Sequence, residues 1–267
     1  MPPLVPRNKI ALITGGSGTI GKAIANVFLS NNISVILTGR RLSKLEETKS
    51  ALKTTTTGNT FCRVIQSDIS KEDSVIKLFH EIDQMDECDG GGGCVDIVVN
   101  NAGINVTANS IEELTAKDME DVLGVNVVGA FLCAREGIKR MKHKNGKDIV
   151  ESEEGRGRII NIGSISSTSP RPNSTAYTTS KFAIEGLTKS LSLDCREHGI
   201  AVGIVHPGNV ISDLLSPEDV EVRGRTEGFL TPDDVAKCVL TMASLPYNVN
   251  VLELTVMPTT MPFVGRG

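Results

Sequence analysis

The chain has 267 residues, with 28 lysines and arginines against 32 aspartates and glutamates, for a net charge of −4. That length can bury a core without metal or disulfide staples, and the acidic balance supplies no basic stripe for nucleic acid or an anionic membrane. No apolar run approaches the roughly 20 residues that span a bilayer. The opening Met1-Pro2-Pro3-Leu4-Val5-Pro6-Arg7 lacks the apolar centre of a secretory signal, so a cytoplasmic location is expected. Cys62, Cys88, Cys94, Cys133, Cys195 and Cys238 are scattered and form no C-x-x-C pair, which reads as reduced thiols. His80, His143, His198 and His206 share no metal-ligand spacing, and no metal centre is expected.

Residues 1–8 read as an N-terminal extension. An apolar run over 9–13, of the kind buried in a parallel sheet, leads into Thr14-Gly15-Gly16-Ser17-Gly18-Thr19-Ile20-Gly21 and a helical stretch over 22–29. Glycines at a strand-to-helix junction let the backbone approach a pyrophosphate, which sits on free N–H groups at the helix start. Gly15, Ser17, Gly18, Thr19, Ile20 and Gly21 are therefore candidate dinucleotide contacts. The next strand, 34–38, ends in Gly39-Arg40-Arg41. A carboxylate there would bind the adenosine ribose 2′-hydroxyl and select NAD, whereas arginine accommodates a 2′-phosphate. Arg40 and Arg41 favour NADP(H) over a merely solvated helix flank, because cations at a helix start oppose its dipole.

Strands and helices continue to alternate: a helix over 42–53, a polar loop over 54–59, and a strand over 61–67. Asp68 and Ile69 end that strand at the edge where an adenine ring would lie. An amphipathic helix over 71–85 and a glycine loop over 90–93 follow, then a strand over 95–99 closed by Asn100-Asn101-Ala102-Gly103. Small and amide-bearing residues of this kind fit a tight turn near a ligand. A long helix is expected over 115–142. Within it Asn126 lies amid apolar neighbours, so its amide must be hydrogen-bonded, either as a structural clip or as the holder of a placed water. The polar, acidic stretch 144–157 reads as a surface loop insertion.

A fifth strand over 158–162 is left through Gly163-Ser164-Ile165, and a loop carrying Pro170, Arg171 and Pro172 precedes Thr175-Ala176-Tyr177-Thr178-Thr179-Ser180-Lys181. Arg171 suits an exposed proline-loop arginine better than a partner for a substrate carboxylate. The following helix, to about residue 198, puts Tyr177 and Lys181 on one face, a turn apart. A phenol titrates near pH 10, and a nearby ammonium favours phenolate. Bringing it down by roughly three units would need about 4 kcal/mol, more than one lysine supplies, so a second positive charge such as an oxidised nicotinamide is expected. A sixth strand over 200–205 runs into Pro207-Gly208-Asn209-Val210-Ile211-Ser212. Residues 212–230 read as a substrate lid. Thr231-Pro232-Asp233-Asp234 starts a helix with a capping threonine, proline at the first position and acids in the first turn. A seventh strand is expected over 249–256 and an irregular tail over 257–267.

This regular alternation, without repeat or linker, predicts one α/β domain, a Rossmann-type doubly wound parallel sheet of seven strands flanked by helices. Its ligands lie beyond the carboxyl ends of the strands. The glycine turn, Arg40–Arg41, Asp68, Asn100–Gly103, Ser164 and Pro207–Ser212 all fall on that edge.

These residues together resemble the short-chain dehydrogenase/reductase family in its compact branch, over essentially the whole chain. The likeness is carried by Thr14–Gly21, Asn100-Asn101-Ala102-Gly103, Asn126, Ser164, Tyr177-x-x-x-Lys181 and Pro207-Gly208, with Ser164 thirteen residues before Tyr177. The resemblance implies NADP(H) chemistry with Tyr177 as proton donor in carbonyl reduction and base in alcohol oxidation. It implies Lys181 lowering the Tyr177 pKa and holding the nicotinamide ribose, Ser164 bonding the substrate oxygen, and Asn126 holding a water. By the same likeness Asp68 and Ile69 contact adenine, Asn100, Ala102 and Gly103 the adenosine ribose side, and Val210 with Ser212 the carboxamide, while Pro207 and Gly208 are further cofactor contacts. A homodimer or homotetramer is implied. In the glycine turn Thr19 stands where the compact branch has its middle glycine, and the tail from Leu245 is similar to the 3-hydroxy-acid dehydrogenase group. A non-redox enzyme of this fold (dehydratase, isomerase or cyclase) and a nucleotide-sensing binding protein are the alternatives.

Overall fold

The computed structural model describes residues 9–52, 60–86, 95–106, 110–142, 157–212 and 217–263. The extension 1–8, the loop 54–59, the glycine loop with Cys88 and Cys94, and residues 144–156 of the expected insertion lie outside them. Gly157 belongs to a strand.

Seven strands form one wholly parallel sheet: β1 Lys9–Thr14, β2 Ile33–Gly39, β3 Cys62–Gln66, β4 Ile97–Asn100, β5 Gly157–Ile162, β6 Ile200–Pro207 and β7 Glu253–Val256, in the order β3-β2-β1-β4-β5-β6-β7. The order reverses between β1 and β4, where a crevice opens beyond the carboxyl ends. The five inner strands are buried on both faces, the edge strands β3 and β7 are partly exposed, and side chains alternate between two cores. Ala11 and Ile13 of β1 point into one core with Ile97 and Val99 of β4; Ile10 and Leu12 point into the other with Val98.

The first core is covered by α1 Thr19–Ser30, α2 Leu42–Ala51 and α8 Pro232–Ser244, through Ile24, Phe28, Leu45, Val235, Val239 and Met242. The second is covered by α3 Glu72–Asp83 and α5 Ala130–Lys142, through Val75, Leu78, Phe79, Leu132 and Cys133. Arg140 of α5 binds Asp83 of α3 through Nη2 at 2.7 Å and Glu136 through Nη1 at 3.0 Å, tying those two helices together. The remaining helices are α4 Ala116–Leu123, α6 Thr175–Asp194 and α7 Pro217–Thr226.

Three boundaries depart from the sequence expectation. The stretch expected as one helix over 115–142 is α4 and α5 joined by a π-helical turn, Gly124–Gly129, with Thr115 capping its start through a box with Asp118. The turn is wider than an α-turn, and Gly129 lets it close on β3's exit, since a Cβ there would lie 2.8 Å from Ile69 Cδ1. The seventh strand is only Glu253–Val256, because Leu245 to Asn250 form a loop held by a buried arginine: Arg158 donates to the carbonyls of Leu245, Pro246 and Val249 at 2.6 to 3.1 Å. Finally, α6 stops at Asp194, and a single 3₁₀ turn, Arg196–His198, completes the segment. The Thr231 cap forms as expected, boxed with Asp234. No helix among the described residues is long and apolar enough to cross a membrane.

Candidate active site

The glycine turn is clamped from the neighbouring strand. Thr14 is buried, and its Oγ1 accepts from the backbone N–H groups of Asn101 and Ala102 at 3.0 Å. Asn101 Nδ2 donates to Thr14 O at 2.9 Å and Gly15 O at 3.2 Å. Gly15 has φ +63, the left-handed region where glycine is favoured. A Cβ on Gly21 would collide with Gly15 O, and one on Gly16 would lie 2.8 Å from Leu37 Cβ. Gly18 differs: a Cβ there would meet only Gly15 O, at 3.4 Å. Gly18 caps α1 without a side-chain hydrogen bond, so the first-turn N–H groups of Thr19, Ile20 and Gly21 face the crevice unpartnered by a cap. Thr19 begins the helix and needs no glycine conformation.

At the end of β2, Arg40 and Arg41 are exposed, and neither guanidinium has a partner among the described residues. Asp68 Oδ1 accepts from Ser70 N at 3.1 Å and Ser70 Oγ at 2.8 Å, which spends that oxygen on the turn after β3. Ile69 is packed in the second core, leaving its main chain towards the crevice. Asn100 is likewise turned inward, donating from Nδ2 to Ala130 O at 3.1 Å and Asn161 Oδ1 at 2.9 Å. These three can meet a nucleotide chiefly through backbone atoms.

A cleft of about 410 Å³ lies beyond β1, β4, β5 and β6. Ile20, Asn101, Gly103, Ser164, Tyr177, Lys181, Pro207, Gly208, Val210 and Ser212 all line it, so the structure brings Ser164, Tyr177 and Lys181 together with part of the expected cofactor contacts, whereas Arg40, Arg41, Asp68 and Ile69 are not in its lining. Ser164 leaves β5 in extended conformation, and its Oγ accepts from Ser166 N–H at 3.1 Å, which directs its own proton outward. Behind it His206 is buried against the Ser164 backbone: Nδ1 is 2.9 Å from Ser164 O and 3.3 Å from Ser164 N. Burial holds the imidazole pKa below its usual value, so a neutral ring props the serine. Sequence reading assigned His206 no role, and nothing in its neighbours signals one.

Lys181 is buried at 7% exposure, donates from Nζ to Ile162 O at 2.8 Å, and lies 5.3 Å from the centre of the Tyr177 ring. Burial lowers its pKa to about 8. Burial also raises the Tyr177 phenol above its ordinary value, with the Ser164 hydroxyl and the charge of Arg171 pulling the other way. Arg171 is thus a cation that bears on the phenol in addition to Lys181, whose Nζ stands beside the ring. Arg171 is no exposed loop arginine: it lines the cleft and donates to Asn209 and Glu227.

Asn126 is 4% exposed, and both of its amide protons are bonded to protein. Oδ1 accepts from Ile104 N at 2.8 Å, and Nδ2 donates to Ile104 O and Ser180 Oγ at 3.0 Å. Ser180 Oγ in turn donates to the Tyr177 backbone carbonyl at 2.7 Å. The side chain thus locks the π-turn to the loop after β4 and to the helix of Tyr177.

The residues fit a dinucleotide: an uncapped helix start behind a glycine cradle, two exposed guanidiniums at the ribose end, and a buried lysine with protons to spare in the cleft. The sequence model of the short chain dehydrogenase family matches residues 9–221. Among curated relatives, an uncharacterized oxidoreductase, YgfF, of Escherichia coli (strain K12) is 38% identical over 206 residues, 77% of each chain. An NADP-dependent (R)-specific alcohol dehydrogenase of Lentilactobacillus kefiri is 35% identical over 218 residues, 80% of this chain and 77% of that one. The crystal structure of a 3-ketoacyl-(acyl-carrier-protein) reductase from Brucella melitensis complexed with NADH superposes with a TM-score of 0.80 at 26% identity, over 95% of this chain and 98% of that one. The chain belongs to the short-chain dehydrogenase family, and is an oxidoreductase acting on CH–OH groups.

Proposed function

We propose that the protein is an NADPH-dependent carbonyl reductase, converting a ketone or a β-keto acid or ester to a secondary alcohol and running in reverse as an alcohol dehydrogenase. The observation that carries this reading is the meeting of Ser164, Tyr177 and Lys181 in one cleft beside the glycine cradle. When bound there, the reduced nicotinamide supplies a hydride to the carbonyl carbon. Tyr177 Oη gives its proton to the carbonyl oxygen as that oxygen gains charge, and Ser164 Oγ donates a hydrogen bond to the same atom. Burial alone makes the phenol a weaker acid, so the Ser164 hydroxyl and the Arg171 charge, which pull its pKa down, favour the donor role. Lys181 has one proton on Ile162 O and two remaining for ribose hydroxyls.

The relatives differ in the nucleotide named, NADP for one and NADH for another, so the preference for NADP(H) rests on Arg40 and Arg41. In Arg40→Ala and Arg41→Ala the apparent affinity for NADPH should fall about tenfold or more while that for NADH changes little; equal losses for both would contradict a 2′-phosphate role. A ketone panel followed by loss of the reduced-nicotinamide absorbance tests the reaction itself. Consumption supports it, whereas tight NADPH binding with no consumption across the panel matches the non-redox or nucleotide-sensing alternatives. The same reading includes a homo-oligomer and a cytoplasmic location. Val128, Phe131, Phe182 and Leu193, on the helices that carry Asn126 and Tyr177, are exposed, which supports an interface there.

A further inference from the structure

Arg171 stands in the loop leading to α6, on the wall of the cleft that holds Ser164 and Tyr177. Its Nη2 donates to Asn209 Oδ1 at 2.9 Å and to Glu227 Oε2 at 3.2 Å. Asn209 closes the ring, donating from Nδ2 to the same Glu227 oxygen at 2.7 Å. Both members of the ion pair are 18% exposed and Asn209 is buried, so solvent screens this pair far less than a surface one.

Glu227 is delivered there by a pinned segment. It follows α7 and precedes Gly228, whose φ of +75 turns the chain back. Thr260 Oγ1 donates to the Glu227 carbonyl at 3.1 Å, and Leu230 N–H donates to Asn209 O at 2.8 Å beside the Val210–Leu230 bridge. The carboxylate is thereby held on Arg171 and Asn209, two residues that line the cleft.

We propose that Glu227 occupies the seat a substrate carboxylate would take on Arg171, and so makes the site select uncharged carbonyl compounds over β-keto acids. This rests on the carbonyl-reductase reading and narrows its substrate class. A carboxylate entering beside Glu227 meets a like charge, and one that displaces it must break the half-buried Arg171–Glu227 ion pair. A ketone or ester carries no charge to place and meets neither penalty. Specificity of this kind comes from a repulsive element as much as from an attractive one.

The test compares kcat/KM for acetoacetate and ethyl acetoacetate in the NADPH-loaded wild type, Glu227→Gln and the Arg171→Met/Glu227→Gln double variant. The wild type should favour the ester by about a hundredfold or more, and Glu227→Gln should shrink that ratio about tenfold or more, because Arg171 then receives the acid. The double variant, lacking the seat, should shrink it less. A wild type that takes the acid as readily as the ester overturns the proposal, as does a ratio unmoved by Glu227→Gln. If neither compound is turned over, the carbonyl-reductase reading fails for this class, and the seat is judged by melting temperature in acetate. A rise confined to Glu227→Gln, absent in wild type and double variant, upholds it; no rise in Glu227→Gln overturns it. Should Glu227→Gln not fold, the double variant decides, a narrowed ester preference upholding the proposal and an unchanged one overturning it.

Discussion

Tyr177 and Lys181 lie a turn apart, yet burial acts on them in opposite directions, raising the phenol and lowering the ammonium to about 8. Each is pushed towards its neutral form, as desolvation requires. The lysine's shift has a thermodynamic signature. An unfolded lysine titrates near 10.4, so between roughly pH 8 and pH 10 the unfolded chain keeps a proton that the native protein has released. Stability from this group therefore rises with pH across that window, and below it the folded protein bears the full cost of a buried ammonium. The stability of wild type relative to Lys181→Met should improve on the order of 3 kcal/mol from pH 7 to pH 10, measured by denaturant unfolding; a flat difference would contradict the buried, depressed lysine. The trio itself was readable because its spacing is local or fixed along the chain. Arg171, Asn209 and Glu227 meet across 56 residues, from a proline loop, a strand exit and the end of α7. No single-chain periodicity encodes such a meeting, which is why an arginine in a polar loop reads as solvated.

At the scale of elements, the glycine turn separates two jobs that sequence spacing runs together. Gly15, Gly16 and Gly21 permit close packing against Ala102, Leu37 and the Gly15 carbonyl, whereas Gly18 only caps α1. Gly21→Ala should destabilise the protein by about 1–3 kcal/mol through overpacking and weaken NADPH binding. Gly18→Ala should cost under about 1 kcal/mol, the usual worth of a cap. Thermal melts and nucleotide titration check the pair, and equal effects at both positions would refute the division. The π-turn at Gly124–Gly129 was hidden for a related reason. Its glycines, valines and asparagine are poor helix formers, but the contacts that accompany its widening are tertiary: the Asn126 clip to Ile104 and Ser180 and the approach of Ile69 to Gly129. Strand ends were misjudged where a buried side chain overrides propensity, as Arg158 does by holding the loop that would otherwise extend β7.

For the whole molecule, alternation was enough to give the sheet, because parallel strands buried on both faces are near-continuous apolar runs set apart by amphipathic helices. The order β3-β2-β1-β4-β5-β6-β7 then fixes which loops share an edge, and that edge gathers the cradle, the trio and the Arg171 ring. An apolar face remains on the opposite account: Phe131 and Phe182 are 40% and 48% exposed on α5 and α6. Charges placed there, as Phe131→Glu with Phe182→Glu, should shift the protein to smaller species by light scattering if that face joins subunits. Unchanged mass in the variant would place the interface elsewhere.

Carbonyl reduction as proposed requires Tyr177 to transfer the proton. Tyr177→Phe removes one hydroxyl from a packed site, and NADPH affinity measured by fluorescence serves as the control for folding. With a ketone that the wild type reduces, the variant is expected to bind NADPH normally and lose about a thousandfold in kcat; retention of wild-type turnover would contradict the mechanism.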